Sequence, residues 1–143
     1  MSKSIFSKGL HGESVHVDPT KVFDDLSWEK ASKKVENMPY TIGQILHHMS
    51  FWQDFILELV EGNNPPPPKD NEEEWAIESF PAEKMEWETK VAHFKAGVLK
   101  AEELADKKLT DKNELFLELV MHNSYHAAQV VVIRRILGEW DSI

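Results

Sequence analysis

The chain has 143 residues, with 16 Lys+Arg against 25 Asp+Glu and a formal net charge of −9. We expect one domain over residues 1–143, and the acidic balance argues against a nucleic-acid partner, which needs clustered basic side chains. Seven histidines but no cysteine are present. Disulfides, cysteine nucleophiles, zinc fingers and iron–sulfur clusters are therefore excluded, and a metal site must be built from histidine and carboxylate.

We expect no targeting signal in the N-terminal segment. Residues 1–17 lack the apolar stretch of about 7–15 residues that a secretory signal requires, and we expect them to be extended. No segment approaches the roughly 18 consecutive apolar residues of a membrane span. We therefore expect a cytoplasmic protein with no membrane partner.

Helix signals follow in chain order, and no segment shows the sustained alternation of a β-strand. Asp18 and Pro19 predict an N-cap and a first helical residue, while Ser27 is a candidate cap for a second short piece. This region is therefore one helix or two. Residues 41–44 match a capping box, and the helix that they begin should end at Gly62.

A proline-rich, acidic crossover, residues 62–80, separates the second predicted helix from the third. It is long enough to span a helix bundle, so the two helices that it joins can run parallel. Its acidic residues 70–74 are predicted to be solvated surface. The third helix is predicted to begin at Ser79 and the fourth at Asp111. The sequence thus predicts an all-α domain, a four-helix bundle with one long crossover.

Helical periodicity separates inward-facing from outward-facing histidines. His48 lies on an apolar stripe of the second helix, whereas His47 lies on a polar stripe and is predicted to face water. His122 and His126 are four residues apart on the core stripe of the fourth helix, so their side chains are neighbours. The stripe with His48 holds Thr41, Ile45, Trp52, Phe55 and Leu59, and the stripe with His47 holds Gly43, Ser50, Asp54, Glu58 and Glu61.

Three inward-facing imidazoles can hold one divalent ion, which makes His48, His122 and His126 the predicted ligands. The alternative is a set of hydrogen-bonded core histidines, which is the usual role of a single buried histidine. The zincin motif is absent, because position 123 is Asn123. The other four histidines are predicted to be bystanders to the metal site. They are His11, His16, His47 and His93.

Two motifs resemble those of the DinB/YfiT-like superfamily of damage-inducible proteins, one at residues 41–49 and one at residues 122–129. Residues 16–19 and 137–140 are similar too, so the resemblance spans nearly the whole chain. It implies a four-helix bundle in up-down-down-up order with the crossover between its second and third helices. One departure is Ala128, where the family usually has glycine. Alanine is larger than glycine, so this departure predicts an altered helix contact beside the metal.

The resemblance also implies a divalent metal held by three histidines, at the positions of His48, His122 and His126. Family members include thiol-dependent transferases, such as bacillithiol transferases and the mycothiol-dependent maleylpyruvate isomerase, and proteins described as metal-dependent hydrolases. We therefore expect Zn²⁺ or Ni²⁺ to activate a low-molecular-weight thiol or water for attack on a small-molecule substrate. With no cysteine in the chain, the thiol would come from a cofactor.

Two further residues of the fourth helix are candidates for hydrogen bonds to a ligand or a substrate. Gln129 lies one turn from His126, and Tyr125 is adjacent to it. No Asp or Glu can be assigned as a general base from the sequence. The alternative function is a non-catalytic, metal-binding stress-response bundle. The apolar faces of the second and fourth helices also allow a homodimer.

Overall fold

The computed structural model describes residues 4–141, and every regular element in that range is helical. The all-α prediction is confirmed for these residues; what we expected of residues 1–3 and 142–143 lies outside them. No helix in the described range is both long and apolar enough to cross a membrane. The α-helices are α1 (Ile5–His11), α2 (Trp28–Ala31), α3 (Ile42–Val60), α4 (Asn71–Trp75), α5 (Lys84–Asp106) and α6 (Asn113–Ile136).

The two N-caps predicted between residues 18 and 31 both form. The Asp18 side chain accepts a hydrogen bond from the Thr20 amide, but it caps only a short 3-10 turn, Pro19–Lys21. Ser27 caps the single turn of α2 in the same way. The first predicted helix is therefore two short pieces. Asp25 lies between the two pieces with a φ of 58°, in the left-handed region, and so interrupts a continuous helix.

The capping box of α3 forms as predicted. Thr41 Oγ1 accepts from the Gln44 amide, and Gln44 Oε1 accepts from the Thr41 amide, both at 3.1 Å. The helix ends at Val60, and Gly62 follows with a φ of 89°, the left-handed conformation that favours glycine. Both ends of α3 are therefore set by local sequence.

Three other boundaries differ from the prediction. Residues 1–17 are not extended throughout, because they contain α1, whose first turn is capped by the Ser4 side chain. Helix α5 begins at Lys84 rather than Ser79, since Pro81 restricts the residue before it to extended backbone. Helix α6 begins at Asn113 without a side-chain cap, directly after a 3-10 turn that contains Asp111.

The long helices pack on one another through α3, which contacts α5 and α6, and α1 contacts the same two helices. Two ion pairs show the direction of α3 and α5. Asp54 pairs with His93 at 2.8 Å, and Glu61 pairs with Lys100 at 2.7 Å. Because the partners advance together along both helices, α3 and α5 run parallel. The up-down-down-up order of a four-helix bundle stays a prediction.

A buried polar contact ties the three long helices together. The Gln53 side chain of α3 donates to the carbonyl of Phe94 in α5 at 2.9 Å and accepts from the side-chain Nδ2 of Asn123 in α6 at 3.1 Å. Gly97 makes room for it, because a Cβ there would lie 2.2 Å from Gln53 Nε2. Asn123 adjoins His122 in sequence, so this contact holds α6 in place beside its histidines.

A second polar cluster fastens α1 to α5. His11 Nδ1 lies 2.7 Å from Asp18 and its Nε2 lies 2.6 Å from Glu102, while Ser7 donates to Glu102. Burial lowers the pKa of His11, but the hydrogen bonds to Glu102 and Asp18 and their charges outweigh burial, and the net effect raises it. His11, which the sequence predicts to lie outside the metal site, is a structural cross-link between α1 and α5.

We expect the stability contributed by His11 to fall as the pH rises. A pKa raised above its ordinary value stabilises the fold fully below that value, and the contribution is lost as the pH passes the raised pKa. Compared with wild type, His11→Gln should lower the free energy of unfolding by about 1–3 kcal/mol at about pH 6. At about pH 9 the loss should be smaller. Urea unfolding at both pH values, with His16→Gln as the control, measures this. An equal loss at both would contradict the prediction.

Candidate metal centre

Helices α3 and α6 bring three imidazoles together. The ring centroids of His48, His122 and His126 lie 4.8, 4.7 and 4.6 Å apart in the three pairwise combinations. Nε2 of His48 and Nε2 of His122 are separated by 3.1 Å. Within residues 4–141, these three form the one group of three or more histidines and carboxylates whose donor atoms lie close enough to hold an ion, within 4.8 Å of one another. The three predicted ligands are thus neighbours in space.

Burial keeps these imidazoles neutral. It lowers the pKa of His48 to about 3, with repulsion from His122 and His126 adding to the effect. Burial and repulsion from His126 lower the pKa of His122 to about 4. Burial also lowers the pKa of His126. At neutral pH each ring therefore offers a nitrogen lone pair, the form that binds a metal.

The proton on His126 is set by Gln129. The amide oxygen of Gln129 lies 2.7 Å from Nδ1 of His126. Because a carbonyl oxygen only accepts, Nδ1 carries the proton and Nε2 keeps its lone pair. Such a partner on the far nitrogen commonly orients metal-binding histidines. The other candidate, Tyr125, is exposed and contacts His126 edge-on, and Ala128 is exposed too, so its methyl group does not alter a helix contact.

The crossover covers this group of histidines. Glu74 in α4 accepts from Trp52 Nε1 at 2.8 Å, and the same oxygen lies 3.3 Å from Nδ1 of His48. Trp75 stacks on His48 with centroids 3.6 Å apart and an interplanar angle of 2°, and Tyr40 stacks on Trp75 at 3.7 Å. The prediction that residues 70–74 are solvated surface is therefore wrong for Glu74.

The prediction that His47 faces water is wrong. It is partly buried, its Nε2 donates to the Glu73 carbonyl at 2.7 Å, and its ring meets Phe80 edge-on. Gly43 and Ser50, which share its polar stripe, are buried as well. A Cβ on Gly43 would lie 2.4 Å from the carbonyl oxygen of Phe80. The crossover covers a face of α3 that looks polar in the sequence of that helix alone.

Sequence reasoning missed Glu74 and Trp75, although a signal for them exists. The Asp70 side chain accepts from the Glu73 amide at 2.9 Å and begins α4, so residues 70–73 carry a helix start. A capped turn followed by tryptophan indicates a short helix whose tryptophan packs against another part of the protein. Which surface it meets depends on tertiary structure.

The residues present fit a divalent ion. Two nitrogens bound to one tetrahedral zinc ion lie about 3.4 Å apart, close to the separation of the His48 and His122 Nε2 atoms. A donor set of neutral imidazoles without thiolate suits Zn²⁺ or Ni²⁺. The buried Nδ1 of His122 has no hydrogen-bond partner among the described residues, so the hydrogen bonds of the cluster are incomplete within the protein.

A comparison with protein families found a match over most of the chain. The model that describes the DinB superfamily matches residues 18–130, a segment that contains all three histidines and both motifs. Comparisons with curated proteins and with solved structures gave no match. Since the family match covers well over half of the 143 residues, the chain belongs to the DinB superfamily.

Proposed function

We propose that His48, His122 and His126 bind one Zn²⁺ or Ni²⁺ ion, and that the protein is a metal-dependent thiol S-transferase or hydrolase. The observation that carries this proposal is the convergence of three imidazoles whose ligand nitrogens lie within 4.8 Å of one another, with Nε2 of His48 and Nε2 of His122 3.1 Å apart. A bound ion would lower the pKa of a thiol or of water toward neutrality. The proposal includes the up-down-down-up bundle that the family resemblance implies.

The protein's own residues would bind the metal ion and orient its histidine ligands. Three histidines leave coordination positions free for a thiol or water, as in catalytic rather than closed structural sites. Gln129 accepts from Nδ1 of His126 and so leaves Nε2 of that ring with its lone pair. Because the chain has no cysteine, a transferred sulfur must belong to a separate low-molecular-weight thiol. The reacting partner is a small electrophile.

A second function is favoured by the aromatic cover of His48. Trp75 and Tyr40 shield the ring with parallel stacking. Such a cover suits an ion that stabilises the junction of α3 and α6 and does no chemistry, as in a metal-binding stress-response protein. Metal content tests the site that both functions share, and a thiol assay separates them.

We expect the purified wild-type protein to carry about one Zn²⁺ or Ni²⁺ ion per chain, since three histidines with one further ligand complete such a site. His122→Ala should lose most of this metal, because two imidazoles remain. His93→Ala removes an exposed imidazole that pairs with Asp54 away from the cluster, and should keep it. Elemental analysis after dialysis is the measurement. Equal metal content in the two variants would exclude the assigned ligands.

We also expect metal-loaded protein to accelerate the reaction of a low-molecular-weight thiol with monochlorobimane. The metal should raise the fraction of thiolate at neutral pH. Fluorescence of the conjugate gives the rate for several thiols, with His122→Ala and metal-free protein as controls. If the rate does not depend on metal with any thiol, the transferase function is wrong, and hydrolysis or binding alone is favoured.

A further inference from the structure

We propose that Glu74 is a positioning residue that sets the proton on Nδ1 of His48 and thereby couples the docking of α4 to metal binding. The inference rests on the proposed metal site and extends it to the crossover. It concerns a carboxylate far from the ligands in sequence, on a five-residue helix that no motif of the histidine helices includes.

The position of Glu74 carries the first step. Its Oε1 lies 3.3 Å from Nδ1 of His48, which is buried and has no hydrogen-bond partner in the described residues. The same oxygen is anchored by the indole N–H of Trp52 at 2.8 Å. A carboxylate only accepts, so it favours the tautomer of His48 with the proton on Nδ1. Nε2 of His48 is then left unprotonated.

That tautomer of His48 leaves free the nitrogen that faces the other two histidines and would bind the metal ion. Nε2 of His48 faces Nε2 of His122 at 3.1 Å, and Nε2 of His126 is unprotonated because Gln129 holds its Nδ1 proton. Gln129 of α6 thus favours a proton on Nδ1 of His126, and Glu74 of α4 favours a proton on Nδ1 of His48. Partners of this kind commonly change metal affinity by about 10–100-fold when removed.

The second step is the coupling. Helix α4 is too short to be stable alone and is held by contacts with α3. Besides Glu74 and the stacked Trp75, the Glu73 carbonyl accepts from His47 and the Ala76 carbonyl accepts from Gln44 at 3.2 Å. Two of the docking contacts involve His48 itself. If docking strengthens metal binding, metal binding must strengthen docking by the same factor.

The test compares Glu74→Gln with Glu72→Gln, a matched substitution at an exposed carboxylate of the same helix. Glutamine keeps the size and the acceptor for Trp52, but its amide lacks the charge that attracts the His48 proton. Competition with a chelating dye should give a Zn²⁺ affinity about tenfold lower in Glu74→Gln and unchanged in Glu72→Gln. In hydrogen–deuterium exchange, Zn²⁺ should slow residues 71–76 in wild type and slow them less in Glu74→Gln.

The outcomes separate this inference from the function on which it rests. Wild-type protein that binds neither Zn²⁺ nor Ni²⁺ overturns both. Wild type that binds Zn²⁺, with Glu74→Gln binding it equally well, overturns only the role of Glu74. A merely structural role would lower the melting temperature of metal-free Glu74→Gln and leave its Zn²⁺ affinity unchanged, so thermal unfolding without metal is recorded for all variants.

Discussion

The structure depends on the burial of three imidazoles where α3 meets α6. A buried polar ring destabilises the fold unless it stays neutral and its nitrogens find partners. His48 and His126 are almost fully buried, and the pKa values of all three rings are lowered. Gln129, on the same helix, is a hydrogen-bond partner of His126, and an oxygen of Glu74 in the crossover lies 3.3 Å from Nδ1 of His48. The nitrogens left over face one another, which is the arrangement that a cation would complete.

The topology explains why a carboxylate is available there. Parallel α3 and α5 must be joined by a chain that returns along the bundle, and here that chain is residues 61–83. A segment that has to pass over the helices can also cover one of them. It does so through α4, which packs on α3, and through Phe80, whose carbonyl lies against Gly43. The connection that the helix order requires is thus the same segment that closes the site.

Helix α6 is held by polar contacts at two levels, one between its two histidines and one near its C-terminal end. Asn123 bonds to Gln53 of α3, and near the C-terminal end Arg134 donates to the carbonyls of Val22 and Asp24 at 2.8 Å. These bonds are directional, unlike apolar packing, so they restrict rotation and sliding of the helix. The orientation of His122 toward His48 follows from that restriction. Precise placement of ligands generally needs such supporting contacts.

The sequence by itself determined the features that depend on neighbours within about a helical turn or two: the capping box and Gly62 end of α3, and the inward positions of His48, His122 and His126. Their periodicity is a property of one helix, readable without the rest of the fold. Tertiary structure alone decided that His47 is covered and that Glu74 reaches His48. Those contacts join residues about 26 or more positions apart, and no local pattern specifies which distant segment will cover a helix face.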